Sequence, residues 1–243
     1  MLLTFAQTNE PGLLTYFFQS NTAGQLIILA LGVFSAVAWT VMIGKAMELN
    51  QLFKLNKQFE TAINKAPSLL ELAEKKAFND SIPYAALVKS ATASYFRAVE
   101  IDSDQENAVS HSENALQRAV ADQSLNYERK MVLLASIVTG APFMGLLGTV
   151  WGVMDAFGAI GLGSTASIAS LAPGVSGALL TTVAGLLVAI PSVFGYNFLL
   201  SLTKRRVIEI ENFASTVADR IELEDTASRR FDYWPEASIN ETE

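Results

Sequence analysis

The sequence contains no cysteine, which excludes disulfide scaffolds, thiolate metal sites and cysteine nucleophiles. Its single histidine, His111, leaves little with which to hold a metal. Charge is scarce as well. Asp, Glu, Lys and Arg make up 17% of the 243 residues and 51% are hydrophobic, whereas ordinary soluble domains carry about 25% charged residues. The net charge is −7 and no basic block stands apart from the positions that flank apolar runs, so nucleic acid is not an expected partner. No Lys or Arg precedes the apolar residues of the first ten positions. The positive start of a secretory signal is therefore missing, and no cleavage is expected.

What the chain does have is long uncharged runs. No charged residue occurs from Pro11 to Gly44, from Met131 to Met154, or from Ala156 to Thr203, and a helix crosses a bilayer in about 20 residues. Three transmembrane helices are expected, over residues 24–44, 131–160 and 174–203. The remaining polar sequence is too short to wrap three such helices as the core of a soluble protein. All 17 Lys and Arg lie between Lys45 and Lys130 or between Lys204 and Arg230. By the positive-inside rule residues 1–23 and the link 161–173 face the periplasm, and 45–130 and 204–243 face the cytoplasm.

The cytoplasmic parts read as helix throughout, giving an all-α membrane protein. Span one is expected to continue to Ala66, with Met47, Leu52, Leu55, Phe59 and Ile63 at mostly helical intervals, and Pro67 ends it. Ser68-Leu-Leu-Glu71 has the form of a capping box opening a helix to about Phe78. Further helices are expected from Pro83 to Glu100 and from Gln105, the latter running straight into span two with a kink near Pro142. After span three, Val207, Ile208, Ile210, Phe213, Val217 and Ile221 form one apolar stripe. These stripes suit a cytoplasmic bundle, and also contacts between copies. The tail from Ala227 is polar and acidic and reads as weakly ordered.

Spans two and three carry small and hydroxyl residues where a simple anchor would carry Leu and Ile. Gly145, Gly148 and Gly152 surround Thr149 in span two; Gly174, Gly177, Ala178, Thr181, Gly185 and Ala189 recur at steps of three or four in span three. Such spacing lets helices approach closely. Thr149, Thr181 and Thr182 add hydroxyls that both donate and accept hydrogen bonds, which suits a polar pathway. Asp155 is the one charged residue between Met131 and Thr203. Lying late in span two, it is a candidate mouth residue rather than a buried relay, so a carboxylate acting deep in the membrane has to come from another polypeptide.

The segments Gly145-Leu-Leu-Gly-Thr-Val-Trp-Gly-Val-Met154 and Ala172-Pro-Gly-Val-Ser-Gly-Ala-Leu-Leu-Thr-Thr-Val-Ala-Gly-Leu-Leu-Val-Ala-Ile-Pro191 resemble the MotA/TolQ/ExbB proton-channel family, in particular ExbB and TolQ. Tyr196-Asn197, and Trp39 and Lys45 in span one, agree in spacing. The resemblance covers spans and topology over the whole chain and is weak over 50–124. It implies an inner-membrane pentamer whose second and third spans line a pore around the single spans of an ExbD/TolR-like partner. That partner supplies the membrane Asp, and a TonB-like or TolA-like protein carries the work onward. Thr149 and Thr182 match the family's pore-facing threonines.

Two positions depart from the pattern: Gly177 stands where ExbB and TolQ usually have Glu, and Thr181 where they have Ala. Hydroxyl-rich linings suit Na+ as well as H+, so both ions stay open; no cofactor is expected. A TonB-type and a Tol-type role stay open too, as does a passive scaffold without ion flux. With no phosphate loop, no Ser/His/Asp set and no metal constellation, the chain is not expected to be an enzyme.

Overall fold

A computed structural model describes residues 12–75, 78–101, 105–161 and 168–232, and every regular element among them is an α-helix. In chain order these are α1 (Leu13–Gln19), α2 (Thr22–Asn64), α3 (Leu69–Lys75), α4 (Pro83–Ile101), α5 (Gln105–Glu128), α6 (Met131–Gly161) and α7 (Ile168–Asp232). Three helices are long and apolar enough to cross a membrane: α2, α6 and α7 each contain such a stretch.

Several expectations change in detail. The helix from Gln105 does not run straight into span two: it stops at Glu128, and Lys130 takes a left-handed conformation with φ 73° before α6 begins. That conformation is unfavourable for a side-chain-bearing residue and breaks the i to i+4 ladder. As expected, Pro142 lies within a continuing helix, α6; Pro173 and Pro191 lie within α7. The link expected at 161–173 is helical from Ile168 onward. The N-terminal segment contains a helix, α1, that the periodicity did not announce. The tail is helical to Asp232, and 233–243 lie outside the described residues.

The described residues fall into two compact units, one formed by those up to Lys45 together with Lys130–Leu199, the other by Ala46–Arg129 together with those from Leu200 on. The first unit leaves large apolar side chains bare, among them Leu26, Val33, Phe143, Leu187 and Phe194, the last 73% exposed. Exposed apolar surface on that scale is tolerated only against lipid or protein. The chain is a multi-pass membrane protein.

The second unit has a core of its own, including Leu49, Leu69, Leu87, Val88, Ile210, Val217 and Ile221. Hydrogen bonds from Ser90 to the Ala115 carbonyl and from Ser94 to that of His111 align α4 and α5 as an antiparallel pair. Tyr84 stacks on Phe213 at 3.8 Å between ring centres, and its hydroxyl donates to the Glu209 carbonyl at 3.1 Å. The expected apolar stripes hold only in part. On α2 the buried face runs through Leu49, Asn56 and Ile63 while Met47 is exposed, and on α7 Ile208 is 55% exposed. Asn56 is accommodated because its amide donates to the Tyr127 hydroxyl at 3.2 Å and accepts from the Tyr84 N–H at 3.3 Å.

The turn between α2 and α3 is held by one ion pair of α7. Arg220 donates to the carbonyls of Ile63 and Ala66, at 2.9 and 2.7 Å, where α2 runs out of partners. Glu224 accepts from the N–H groups of Leu69 and Leu70 and from the Ser68 hydroxyl, at 2.7 to 3.0 Å. The two side chains bond each other at 2.9 Å. Thus both broken helix ends are capped from a third helix. The capping box is formed on one side only: Ser68 accepts from the Glu71 N–H at 3.1 Å, while Glu71 pairs with Lys75 and Glu224 takes up the first free N–H groups of α3.

Burial alone would raise the Glu224 pKa, but the N–H groups of Leu70 and Leu69, Ser68 and Arg220 together hold it below the ordinary 4.5. A carboxylate with a depressed folded-state pKa stabilises the fold above the unfolded value and stops doing so as pH falls through the folded one. Glu224→Gln is expected to cost about 1–3 kcal/mol and to remove part of the acid sensitivity below pH 4.5, read by thermal unfolding in detergent against pH. Amide exchange at Leu69 and Leu70 should accelerate in the same variant. An unchanged melting curve with unchanged exchange would show that the turn is held by something else.

Candidate functional site

In lipid there is no hydrophobic drive for two helices to associate, so contact has to come from close packing and hydrogen bonds. The seam between α6 and α7 has both. A methyl group added at Gly145 would meet the Thr181 carbonyl oxygen at 2.8 Å, one at Gly148 the Thr181 side chain at 2.5 Å, one at Gly152 Ala178 at 2.7 Å, and one at Gly185 the Ala141 carbonyl at 2.7 Å. Four of the five small residues singled out in the sequence therefore lie in this one contact. The fifth, Gly177, lies elsewhere. Its added methyl would fall 2.7 Å from Cα of Ser20, so the backbone between α1 and α2 occupies the space a glutamate stem would need.

The three threonines meet at the middle of the seam. Thr181 is fully buried and its hydroxyl donates to the carbonyls of Gly145 and Ala178, at 2.9 and 2.7 Å. Thr149 and Thr182 are hydrogen-bonded to each other and remain part-exposed. Both also reach the Gly145 carbonyl, at 3.1 and 3.3 Å, and Thr149 approaches the Ala178 carbonyl at 3.4 Å. Five oxygens are thus gathered: three hydroxyls and two main-chain carbonyls. Such a set can pass a hydrogen bond along or surround a hard cation, and it presents no formal charge.

Asp155 is exposed, and a residue that the sequence reading did not single out holds its carboxylate. Asn21 donates to Asp155 at 3.2 Å through its amide, while its side-chain oxygen accepts from the Gly24 N–H at 2.8 Å and caps the start of α2. Asn21 before an apolar run was a readable capping signal; its pairing with a residue 134 positions away was not. In α2, Trp39 is half-exposed and Lys45 is 99% buried. Among the described residues no group of three His, Cys, Asp or Glu is placed to hold a metal ion.

Because backbone rather than a side-chain tip stands against Gly177, substitution there cannot be absorbed by rotamer changes. Gly177→Ala is expected to lower stability by about 1–3 kcal/mol and to loosen the Asn21–Asp155 contact, measured by thermal unfolding and by amide exchange at Gly24. Gly158, which has open space around it, serves as the control: Gly158→Ala should do neither. Equal behaviour of the two variants would remove the close approach at Ser20.

A family model described as the MotA/TolQ/ExbB proton channel family matches residues 79–212, which include α6, the threonine cluster and most of α7. The chain is 32% identical over 201 residues to a biopolymer transport protein ExbB of Xanthomonas campestris, covering 80% of this chain and 79% of that one. It is 33% identical over 192 residues to an ExbB of Neisseria gonorrhoeae, covering 77% and 86%. With a Tol-Pal system protein TolQ of Haemophilus influenzae it shares 29% over 193 residues, covering 78% and 85%. The motifs around Gly145–Met154 and Ala172–Pro191, the three spans and these relatives agree: this chain belongs to the MotA/TolQ/ExbB proton channel family.

Proposed function

We propose that the chain is the ring-forming subunit of an ion-driven motor of the inner membrane, N-terminus periplasmic and C-terminus cytoplasmic. In this reading α6 and α7 of a pentamer line a central pore that holds the single spans of a small ExbD/TolR-like partner. The observation that carries the reading is a hydroxyl cluster with no carboxylate beside it among the described residues. Thr149 and Thr182 keep part of their surface free while Thr181 spends its hydroxyl inside the seam. From Met131 to Thr203 the sequence offers one acid, Asp155, and it is exposed. An ion relay needs a group that binds and releases the ion, so the partner supplies the carboxylate and the threonines solvate it.

One charge crossing 100 mV yields about 2.3 kcal/mol, so a step that remodels a folded partner takes several ions. The motor makes and breaks no covalent bond in this reading. Proton flux driving TonB-type import is the primary assignment, in line with the ExbB relatives. A Tol-type envelope role is the second assignment, in line with the TolQ relative. Sodium is the second ion reading, favoured by the five converging oxygens, since hard cations take oxygen ligands.

Thr182→Val keeps the volume and removes the hydroxyl. It is expected to leave assembly with the partner intact by native mass spectrometry and to abolish ion-driven activity. Full activity in this variant would instead favour a passive scaffold. Thr181→Val is expected to behave differently, losing about 1–3 kcal/mol of stability because it withdraws a buried donor from Gly145 and Ala178. Complementation of cells lacking ExbB and of cells lacking TolQ separates the two roles: restored outer-membrane import assigns the first, restored envelope integrity the second.

A further inference from the structure

The second unit carries two charged stripes that its own fold leaves unused. Along α2 and just past its end, Lys54, Lys57, Thr61 and Lys65 follow at helical steps and are all exposed, opposite the buried side of Leu49, Asn56 and Ile63. On α7, Glu211, Ser215, Asp219 and Glu222 do the same opposite Ile210, Val217 and Ile221. Among the described residues none of these three lysines or three carboxylates has an ion-pair partner. Glu211 and Asp219, with Glu113 of α5, edge an open groove of about 460 Å³ whose lining includes Leu116, Val120 and Ala214.

The stripes also match in spacing and height. Arg206 lies 3.8 Å from the centre of the Phe53 ring, and Arg220 bonds the carbonyls of Ile63 and Ala66, so α2 and α7 run parallel with 53 level with 206 and 63–66 level with 220. This register sets Lys57 level with Glu211 and Lys65 level with Asp219. Lys57 and Lys65, like Glu211 and Asp219, are eight residues apart, a helical rise of about 12 Å. Rotation about an axis parallel to the helices moves a patch sideways and leaves its height unchanged. Patches at equal height on different faces can therefore meet only in a neighbouring copy.

We propose that the Lys57–Lys65 stripe of one copy docks on the Glu211–Asp219 stripe of the next. The contact is heterologous and repeats head to tail; because the two stripes sit at one height it has no rise along the axis, which fits a closed ring and not an open filament. It rests on the ring assembly proposed above and adds to it the surface, the partner and the register. Exposed ion pairs add little affinity, so the stripes act by fixing alignment and rejecting shifted neighbours.

The chain has no native cysteine to compete with introduced ones, and the cysteine-free parent is the control. A full-length Lys57→Cys/Glu211→Cys chain, co-produced with its partner in host membranes, is treated with a short bismaleimide. A ladder of covalent multimers is expected, with dimers as the upper limit when the two cysteines are on separate co-expressed chains. Lys65→Cys/Asp219→Cys should give the same ladder. Adding Glu211→Lys to it should cut the yield about fivefold, and adding Lys57→Glu as well should restore it. A homo-oligomer by native mass spectrometry that yields no ladder overturns the proposal. So does crosslinking confined to single chains, or to a smaller protein seated in the groove. A monomer by native mass spectrometry overturns it too, and is the one outcome that also removes the ring.

Discussion

The contact between α6 and α7 is the constraint on which the membrane part depends. Water drives soluble helices together, but lipid does not distinguish one apolar helix face from another, so these two helices associate only because Gly145, Gly148, Gly152 and Gly185 let main chain approach main chain. That closeness brings the Gly145 carbonyl within reach of hydroxyls on the facing helix. The packing device and the polar cluster are therefore one arrangement. Thr181 closes the seam from inside, while Thr149 and Thr182 sit at its edge.

The end of the same unit where α1 meets α2 shows how a departure from a family pattern acquires a physical reason. ExbB and TolQ usually carry Glu where this chain has Gly177, and here the Ser20 backbone stands in that space. A carboxylate is nevertheless present at this end, on Asp155 of α6, held by the residue that caps α2. Chain entry, helix start and the acidic side chain are thereby tied together by Ser20 and Asn21.

The second unit follows the ordinary rules of a water-facing fold, with an apolar core and charge on the outside. Part of its polar interior is paired specifically: Asn56 with Tyr127 and Tyr84, and Tyr95 with Asp225 at 2.7 Å. The Arg220–Glu224 pair gives a chain break at Pro67 the hydrogen bonds that two interrupted helices cannot supply for themselves.

By itself the sequence determined the membrane class, the three apolar stretches, the helical character of the rest and the family motifs, because hydropathy and small-residue spacing are properties of neighbours along a chain. It also singled out the threonines and Asp155 as the candidate polar residues of spans two and three. What it could not separate was Thr181 from Thr182, adjacent in sequence with the same side chain, since 100° of helix rotation alone places one inside the seam and the other at its edge. Nor could it find the break at Lys130, the exposure of Ile208, Asn21 as the partner of Asp155, or Glu224 as the cap of α3. Each of these depends on what faces a residue across a gap of many positions, and only the packed helices decide that.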